Sequence, residues 1–327
     1  MNPTPVCCFG EVLIDFLQDK SQPGLFQRFA GGAPANVAVA VARLGGQSKF
    51  IGMLGKDMFG DFLLQELQSY GVDCSAVRQT LDAKTALAFV ALNEEGDRSF
   101  SFYRPPAADL LYKVEHCPVE LWQQKGILHL CSNSLTEPEI AQTSFALVRL
   151  AQQQGWLVSV DANLRHNLWS EGKASRELVI QLLEMADLVK LSEDELDYLA
   201  DGQSSASWLQ HILTFRPAWL VVTAGAEQVQ SYSKADSFSV PVTSVPVVDT
   251  TAAGDAFVGA WLHQIAQQLT QGTSFAELLS DRSVQQHMIE KAIKAGSLTC
   301  QKFGAFAALP TAQAVSYTHL RAHETDS

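Results

Sequence analysis

The chain lacks most of the features that mark the common classes of enzyme and binding protein. No stretch approaches the roughly 18 consecutive apolar residues a membrane-spanning helix needs. The N-terminus has no basic segment leading to an apolar run and a small-residue cleavage site, so no secretory signal is expected. The six cysteines, Cys7, Cys8, Cys74, Cys117, Cys131 and Cys300, include no CxxC pair and sit mostly in apolar runs such as GILHLCS. That usage fits buried thiols in a reduced, cytoplasmic protein rather than a disulfide framework or a zinc site. No Lys/Arg cluster interleaves with aromatics, and the formal net charge is −12. Nucleic acid and anionic membrane are therefore poor partners. There is no GxxxxGK[ST] phosphate loop, no HRD or DFG set, no GxSxG elbow and no HExxH helix. A nicotinamide-binding fold needs GxGxxG straight after its first strand; here LIDFLQDKSQPG follows instead.

What is present is a large apolar content, 47% of 327 residues, enough for one sizeable core. The pattern alternates strand and helix. VCCFGEVLID (Val6 to Asp15) reads as a buried strand, and Ala35 to Leu44 as a helix with Val37, Val41 and Leu44 on one face. KFIGML reads as a strand, followed by a helix from Met58 to Tyr70. GILHL, WLVSVD, ADLVKL and AWLVVT read as strands, each followed by a helical pattern, with long helices at Asp255 to Leu269 and Val284 to Thr299. Such alternation predicts a mostly parallel sheet with helices on both faces. One region departs from it. TALAFVALN and RSFSFYR flank the turn EEGD, with Phe100 and Phe102 on one side and Ser99 and Ser101 on the other, which predicts an antiparallel hairpin set beside the main sheet as a small β-flap.

Two segments could carry chemistry. In VVDTTAAGDAFVGAWL (Val247 to Leu262), small residues lead into a helix that has Asp255 in its first turn. Exposed backbone N–H groups and the helix dipole suit an anion there, and a carboxylate beside it can accept a proton from an attacking hydroxyl. Spacing alone fits an ordinary helix start equally well, with Asp255 merely complementing the dipole. In FAGGAPANVAVAVARLGG (Phe29 to Gly46), Gly31 and Gly32 allow close backbone approach to a ligand, and Asn36 offers donors and an acceptor to hydroxyls. A tight loop into a core helix accounts for the same residues. His129, inside an apolar strand, reads as a core histidine.

Together these segments resemble the two signature motifs of the ribokinase-like sugar kinases, also called the phosphofructokinase B family. FGEVLIDF, GKDMFG (Gly55 to Gly60), RSFSFYRPPAADLL, DANLRHNLW (Asp161 to Trp169), KLSEDEL (Lys190 to Leu196), VVTAGAE and KFGAFAALP resemble further family segments, in order over about 310 residues. The flap and DANLRHNLW are most similar to the bacterial fructokinase branch.

The resemblance implies a ribokinase-like α/β fold whose flap is a lid. It implies transfer of the ATP γ-phosphate to a sugar, fructose first, with aminoimidazole riboside, ribose and 2-keto-3-deoxygluconate as alternatives. An inactive sugar-binding regulator is the reading from another class. By the same resemblance Asp255 is the catalytic base, and the backbone of Ala252, Ala253 and Gly254 the anion hole. Asp15, Gly32 and Asn36 bind sugar hydroxyls, and Arg104 closes over the sugar. Asn163 and Arg165 lie near the transferred phosphate, and Lys190 is placed to contact it or to be solvated. Glu193 helps hold Mg²⁺ through water, and Thr223 and Gly225 line the nucleotide site. Asp249, Thr251 and the loop at Gly304 form a K⁺ site. Three positions depart from the family pattern: Ala252 and Gln228 stand where glycine is usual, and Lys190 where many relatives carry asparagine. Relatives also use the lid as a dimer contact, so a homodimer through it is an expectation.

The expected layout is one domain over 1–314, with a lid drawn from about 15–30 and 84–108. VSYTHLRAHET (Val315 to Thr325) resembles a translated sequencing-library adapter, so 315–327 is expected to be a non-native tail, and its His319 and His323 receive no role.

Overall fold

A computed structural model describes residues 2–19, 22, 24–92, 98–104 and 106–317; at 91, 92 and 98–100 it describes the backbone alone. The turn EEGD and the side chain of Phe100 lie outside what is described.

The chain opens with β1 (Val6–Phe9), β2 (Leu13–Gln18), β3 (Phe26–Gly31) and α1 (Ala33–Arg43). There follow β4 (Ser48–Gly55), α2 (Met58–Ser69), β5 (Asp73–Thr80), β6 (Leu87–Leu92), β7 (Arg98–Tyr103) and β8 (Ile127–Cys131). Next come α3 (Pro138–Gln153), β9 (Leu157–Asp161), α4 (Arg176–Glu184), β10 (Leu188–Ser192), α5 (Glu193–Ala200), α6 (Ser205–Ile212) and β11 (Trp219–Thr223). The last elements are β12 (Gln228–Ser233), β13 (Ser237–Pro241), α7 (Ala253–Gln271), α8 (Phe275–Ser280), α9 (Arg282–Cys300) and α10 (Ala312–Ser316).

Nine strands form one sheet in the order β13-β12-β11-β10-β9-β8-β1-β4-β5, parallel from β11 through β5. The central strands are buried on both faces, which is why they read as unbroken apolar runs. Alternate residues feed two cores. Cys7, Phe9, Leu128, Leu130 and Val160 point toward α3–α6, while Val6, Cys8, Ile127, Leu188 and Trp219 point toward α1, α2, α7 and α9. From β1 the chain first builds toward β4 and β5, then returns and builds the other way from β8. The crevice beyond the carboxyl ends of β1 and β8 is thus a topological switch point, the usual ligand position in such sheets.

A second sheet, β3-β2-β6-β7, forms the lid, with β6 and β7 antiparallel as the hairpin pattern predicts. Two expectations need correction. Val6 to Asp15 is not one strand: the chain leaves the main sheet after Phe9 and enters the lid at Leu13. Gly10 makes the break at φ 147°, where a Cβ would lie 2.6 Å from the Pro34 ring, so the start of α1 packs directly on this turn. After β11 there is no helix. Gly225 turns the chain at φ 53° into β12 and β13, which pair antiparallel at the sheet edge. In β12 buried and part-exposed residues alternate, the strand period rather than the helical one.

All six cysteines are free thiols. Among the described residues no helix is long and apolar enough to cross a membrane. Of the segment expected to be a non-native tail, Val315 and Ser316 complete α10 and Val315 is buried in the core beside α9; 318–327 lie outside the described residues.

Candidate active site

A cavity of about 530 Å³ opens at the switch point, between the carboxyl-end rim of the main sheet, the lid and the start of α7. The start of α7 sets its chemistry. No side chain caps this helix. Ala252 turns into it at φ 60°, ψ 10°, a left-handed conformation that costs a residue with a Cβ about 1–2 kcal/mol. The position where the sequence departs from glycine is therefore a strained one. The N–H of Ala253 donates to Thr250 O at 3.2 Å, whereas those of Gly254 and Asp255 have no backbone acceptor. Two adjacent unpaired N–H groups at the positive end of a 19-residue helix form an anion site. Within the expected anion hole, Gly254 keeps its N–H available and Ala253 does not.

Asp255 is the third residue of α7 and is 7% exposed. Asn36 Nδ2 donates to its Oδ2 at 2.7 Å, and Asn163 Nδ2 to its Oδ1 at 3.3 Å. Asn36 lies in α1, whose start is the Gly32 turn at φ 109°; a Cβ there would lie 2.6 Å from Glu11 O. Asn163 itself sits at φ 39°. Strained backbone thus flanks Asp255 on two sides, a common property of sites that fix a reacting group. Burial pushes the Asp255 carboxyl up to about 7; the Asn36 hydrogen bond opposes this and Asp161 adds to it.

Lys190 and Asp161 form a buried ion pair at 3.1 Å across the ends of β10 and β9. Burial alone would lower the Lys190 pKa, but Asp161 and Glu195 outweigh it and the ammonium is held charged. A Cβ placed on Gly254 would lie 3.6 Å from Lys190 Nζ, so this charge stands directly over the α7 N-terminus. Asp161 is raised by burial, with Lys190 opposing. Arg165, Asn163 and Thr251 also line the cavity.

On the lid side the cavity is lined by Leu13, Phe102 and Asp15. The Asp15 carboxylate lies so close over Gly31 that any Cβ there would collide with it. Asp249 ties the far rim together: its Oδ1 accepts from Thr251 N at 2.8 Å and its Oδ2 from Gly304 N at 3.1 Å. Asp249 thus contacts both of the other expected K⁺-site residues. Thr223 pairs with Ser192 at the end of β11 and Gly225 forms the turn beyond. Both stand further along the same rim, outside the cavity.

Two further expected residues stand apart from the cavity. Glu193 is exposed at the first position of α5 and faces a separate groove with Asp197 and Tyr232. The α5 carboxylate that lines the cavity is Glu195, which accepts from Leu164 N at 2.8 Å and Ser192 N at 2.7 Å. The capping box Ser192–Glu195 turns that side chain back toward the rim, a signal present in SEDEL. Arg104 does not line the cavity. Its guanidinium is buried behind the wall, on Asp109 Oδ2 at 2.7 Å and the Asn133 carbonyl at 3.0 Å. Sequence reasoning also missed Glu11 and Asn133, which do line the cavity.

The model of the pfkB family of carbohydrate kinases matches residues 3–312. The chain belongs to that family. A fructokinase of Xylella fastidiosa, solved with bound ATP, is 44% identical and superposes with a TM-score of 0.89, covering 95% of this chain and 96% of the other. A double mutant of the Vibrio cholerae O395 fructokinase, solved with fructose, ADP and potassium ion, is 33% identical with a TM-score of 0.86 over 95% and 97% of the two chains. Fructokinase-1 of Oryza sativa subsp. japonica is 39% identical over 313 residues, 94% of each chain. The motif segments GGAPAN and DTTAAGD both line this cavity and are joined by the Asn36–Asp255 hydrogen bond.

Proposed function

We propose that this chain is an ATP-dependent fructose kinase that makes fructose 6-phosphate and ADP. The observation that carries the reading is a buried carboxylate, raised to about 7, beside unpaired helix N–H groups and a buried ammonium. The fructokinases to which the chain is similar support the choice of sugar. A fructose hydroxyl held against Asp255 transfers its proton to the carboxylate as its oxygen bonds to the γ-phosphorus and the bond to the ADP oxygen breaks. The N–H groups of Gly254 and Asp255, with Lys190, stabilise the charge on the phosphoryl group in flight, where positioning and electrostatics supply most of the catalysis. Asp15, Gly32 and Asn36 orient the sugar, and the lid residues Leu13 and Phe102 keep water from competing.

The residues fit the ions the reaction uses. Mg²⁺ is commonly held by one or two carboxylates together with substrate phosphates. Both Glu195 oxygens already accept backbone N–H groups, so Glu195 would hold Mg²⁺ through water. Bound Mg²⁺ neutralises phosphate charge. Asp249 supplies a buried oxygen donor for K⁺, and the three elements it joins would be ordered by that ion. Turnover is expected to rise in K⁺ and to lose that response in Asp249→Asn; equal wild-type rates in K⁺ and tetramethylammonium, both with Mg²⁺, would remove the K⁺ site.

Coupled ADP release measured on fructose, ribose, 2-keto-3-deoxygluconate and aminoimidazole riboside tests the substrate, with fructose expected to give the highest kcat/KM. A higher value on any other sugar overturns the fructose reading. We also place self-association at the lid, where Leu25, Phe26 and Tyr103 are exposed; a monomer mass by light scattering at assay concentration would exclude it.

A further inference from the structure

The cavity lining holds polar groups that the mechanism above leaves unused. Glu11 follows β1 and Asn133 follows β8, neighbouring parallel strands, so the two side chains meet at the switch point. Both line the cavity and are 2% and 3% exposed. Asn133 is fixed at both ends. Its carbonyl oxygen accepts from Arg104 Nη2 at 3.0 Å and from Thr136 Oγ1 at 3.2 Å. Its side-chain Nδ2 donates to Glu11 Oε1 at 3.0 Å, an oxygen that also accepts from Ala33 N at 3.3 Å.

Burial raises the Glu11 pKa, with Arg104 and Asn133 opposing. Glu11 Oε1 serves as the acceptor for Ala33 N and for the Asn133 NH₂, so the amide lies with its NH₂ toward Glu11 and its Oδ1 away from it. Asn133 Oδ1 is buried and has no partner. Buried acceptors without partners are rare in folded proteins, and one on the wall of a binding cavity is most simply completed by the ligand. Only a donor can complete it, and a sugar hydroxyl is the donor that reaches this cavity in the proposed reaction. Resting on the fructose-kinase reading, we propose that Asn133 is a sugar-binding residue whose Oδ1 accepts from one substrate hydroxyl, and that Glu11 is the positioning residue that fixes the amide for it.

The test is a matrix of variants against sugars: wild type, Asn133→Ala, Asn133→Ser and Glu11→Gln, each with fructose and the monodeoxyfructoses that retain the phosphorylated hydroxyl. Wild type should lose about tenfold in kcat/KM on the analogue lacking the Asn133-bound hydroxyl. Asn133→Ala should lose about the same on fructose itself and nothing more on that analogue, while the other analogues keep their wild-type penalties and the ATP KM stays put. Glu11→Gln lets the amide turn over, so it should blunt the same discrimination without unfolding the chain. A uniform loss over all analogues in both Asn133 variants overturns the proposal, because a purely structural role cannot single out one hydroxyl. The kinase reading is judged separately, by wild-type turnover of fructose. If another sugar is the substrate, the same matrix with that sugar's deoxy analogues decides the role of Asn133.

Discussion

Asp255→Asn is expected to fold normally, bind ATP and lose about 10²–10⁴-fold in kcat, the usual contribution of a positioned general base. The substitution keeps the shape of the side chain. Its one oxygen can still accept from Asn36. Asn163, whose Oδ1 has no partner, can turn its amide to accept from the new NH₂. The acceptor for the sugar proton is then gone while the walls stand. The same residue sets the pH profile. With the Asp255 carboxyl at about 7 through burial, kcat/KM should fall about tenfold per unit below that pH and level off above it. Stability responds in the opposite sense. A carboxyl raised in the folded state from its ordinary 3.8 favours folding in its protonated form, and that contribution is lost as pH rises through 7. Asp255→Asn should therefore melt higher than wild type at pH 8 and like wild type near pH 3.5. Near wild-type kcat, or a lower melting temperature at pH 8, would return Asp255 to the role of an ordinary helix-start acid.

Asp255 was legible as a candidate because its pattern is local, small residues, an acid, then an apolar helix, while the role of base came from the family resemblance. Asn36, Gly32 and the parallel strands were legible for the same reason, since each rests on a pattern a few residues long. What escaped the sequence depends on distance. Glu11 and Asn133 are 122 positions apart and meet only because β1 pairs with β8; Glu11 lay inside the run read as one strand and Asn133 was not singled out. Glu193 and Glu195 differ by two places on a helix start, and only the direction in which the capping box turns the chain tells which one faces the cavity. Arg104 was assigned to the sugar because it borders the lid, yet Asp109, five residues on, draws it behind the wall. The edge strands β12 and β13 escaped because QVQSYS and SFSVP are mostly polar, so burial could not mark them as sheet. The break at Gly10 escaped because both halves of Val6 to Asp15 are apolar, one in the main sheet and one in the lid.

Lys190→Met is expected to destabilise the fold by up to about 3–5 kcal/mol, the scale for breaking a buried pair, with part of that cost relieved because Asp161, already raised to about 6 by burial with Lys190 opposing, takes up a proton. Lys190 and Asp161 are 7% and 1% exposed, so water cannot replace the lost partner, and Glu195 nearby pushes Asp161 further toward its protonated form. Activity falls with it, but that loss alone has two explanations, a damaged fold or a missing ammonium. The double variant Lys190→Met with Asp161→Asn separates them. It removes both charges, and exchanging a buried pair for neutral groups of similar volume is often close to neutral for stability. The amide that replaces the carboxylate in Asp161→Asn can still accept from Asn163 N, the contact Asp161 makes at 3.2 Å, so the strained turn that carries Asn163 is retained. Melting temperature should recover most of the way to wild type. Turnover should not, because the ammonium that stands over the Gly254 and Asp255 N–H groups is still absent; a loss of about 10²–10³-fold is the scale for one preorganised group facing transition-state charge. Recovery of both quantities would make the pair a strut beneath the site. Recovery of stability alone assigns the Lys190 charge to the phosphoryl group in flight.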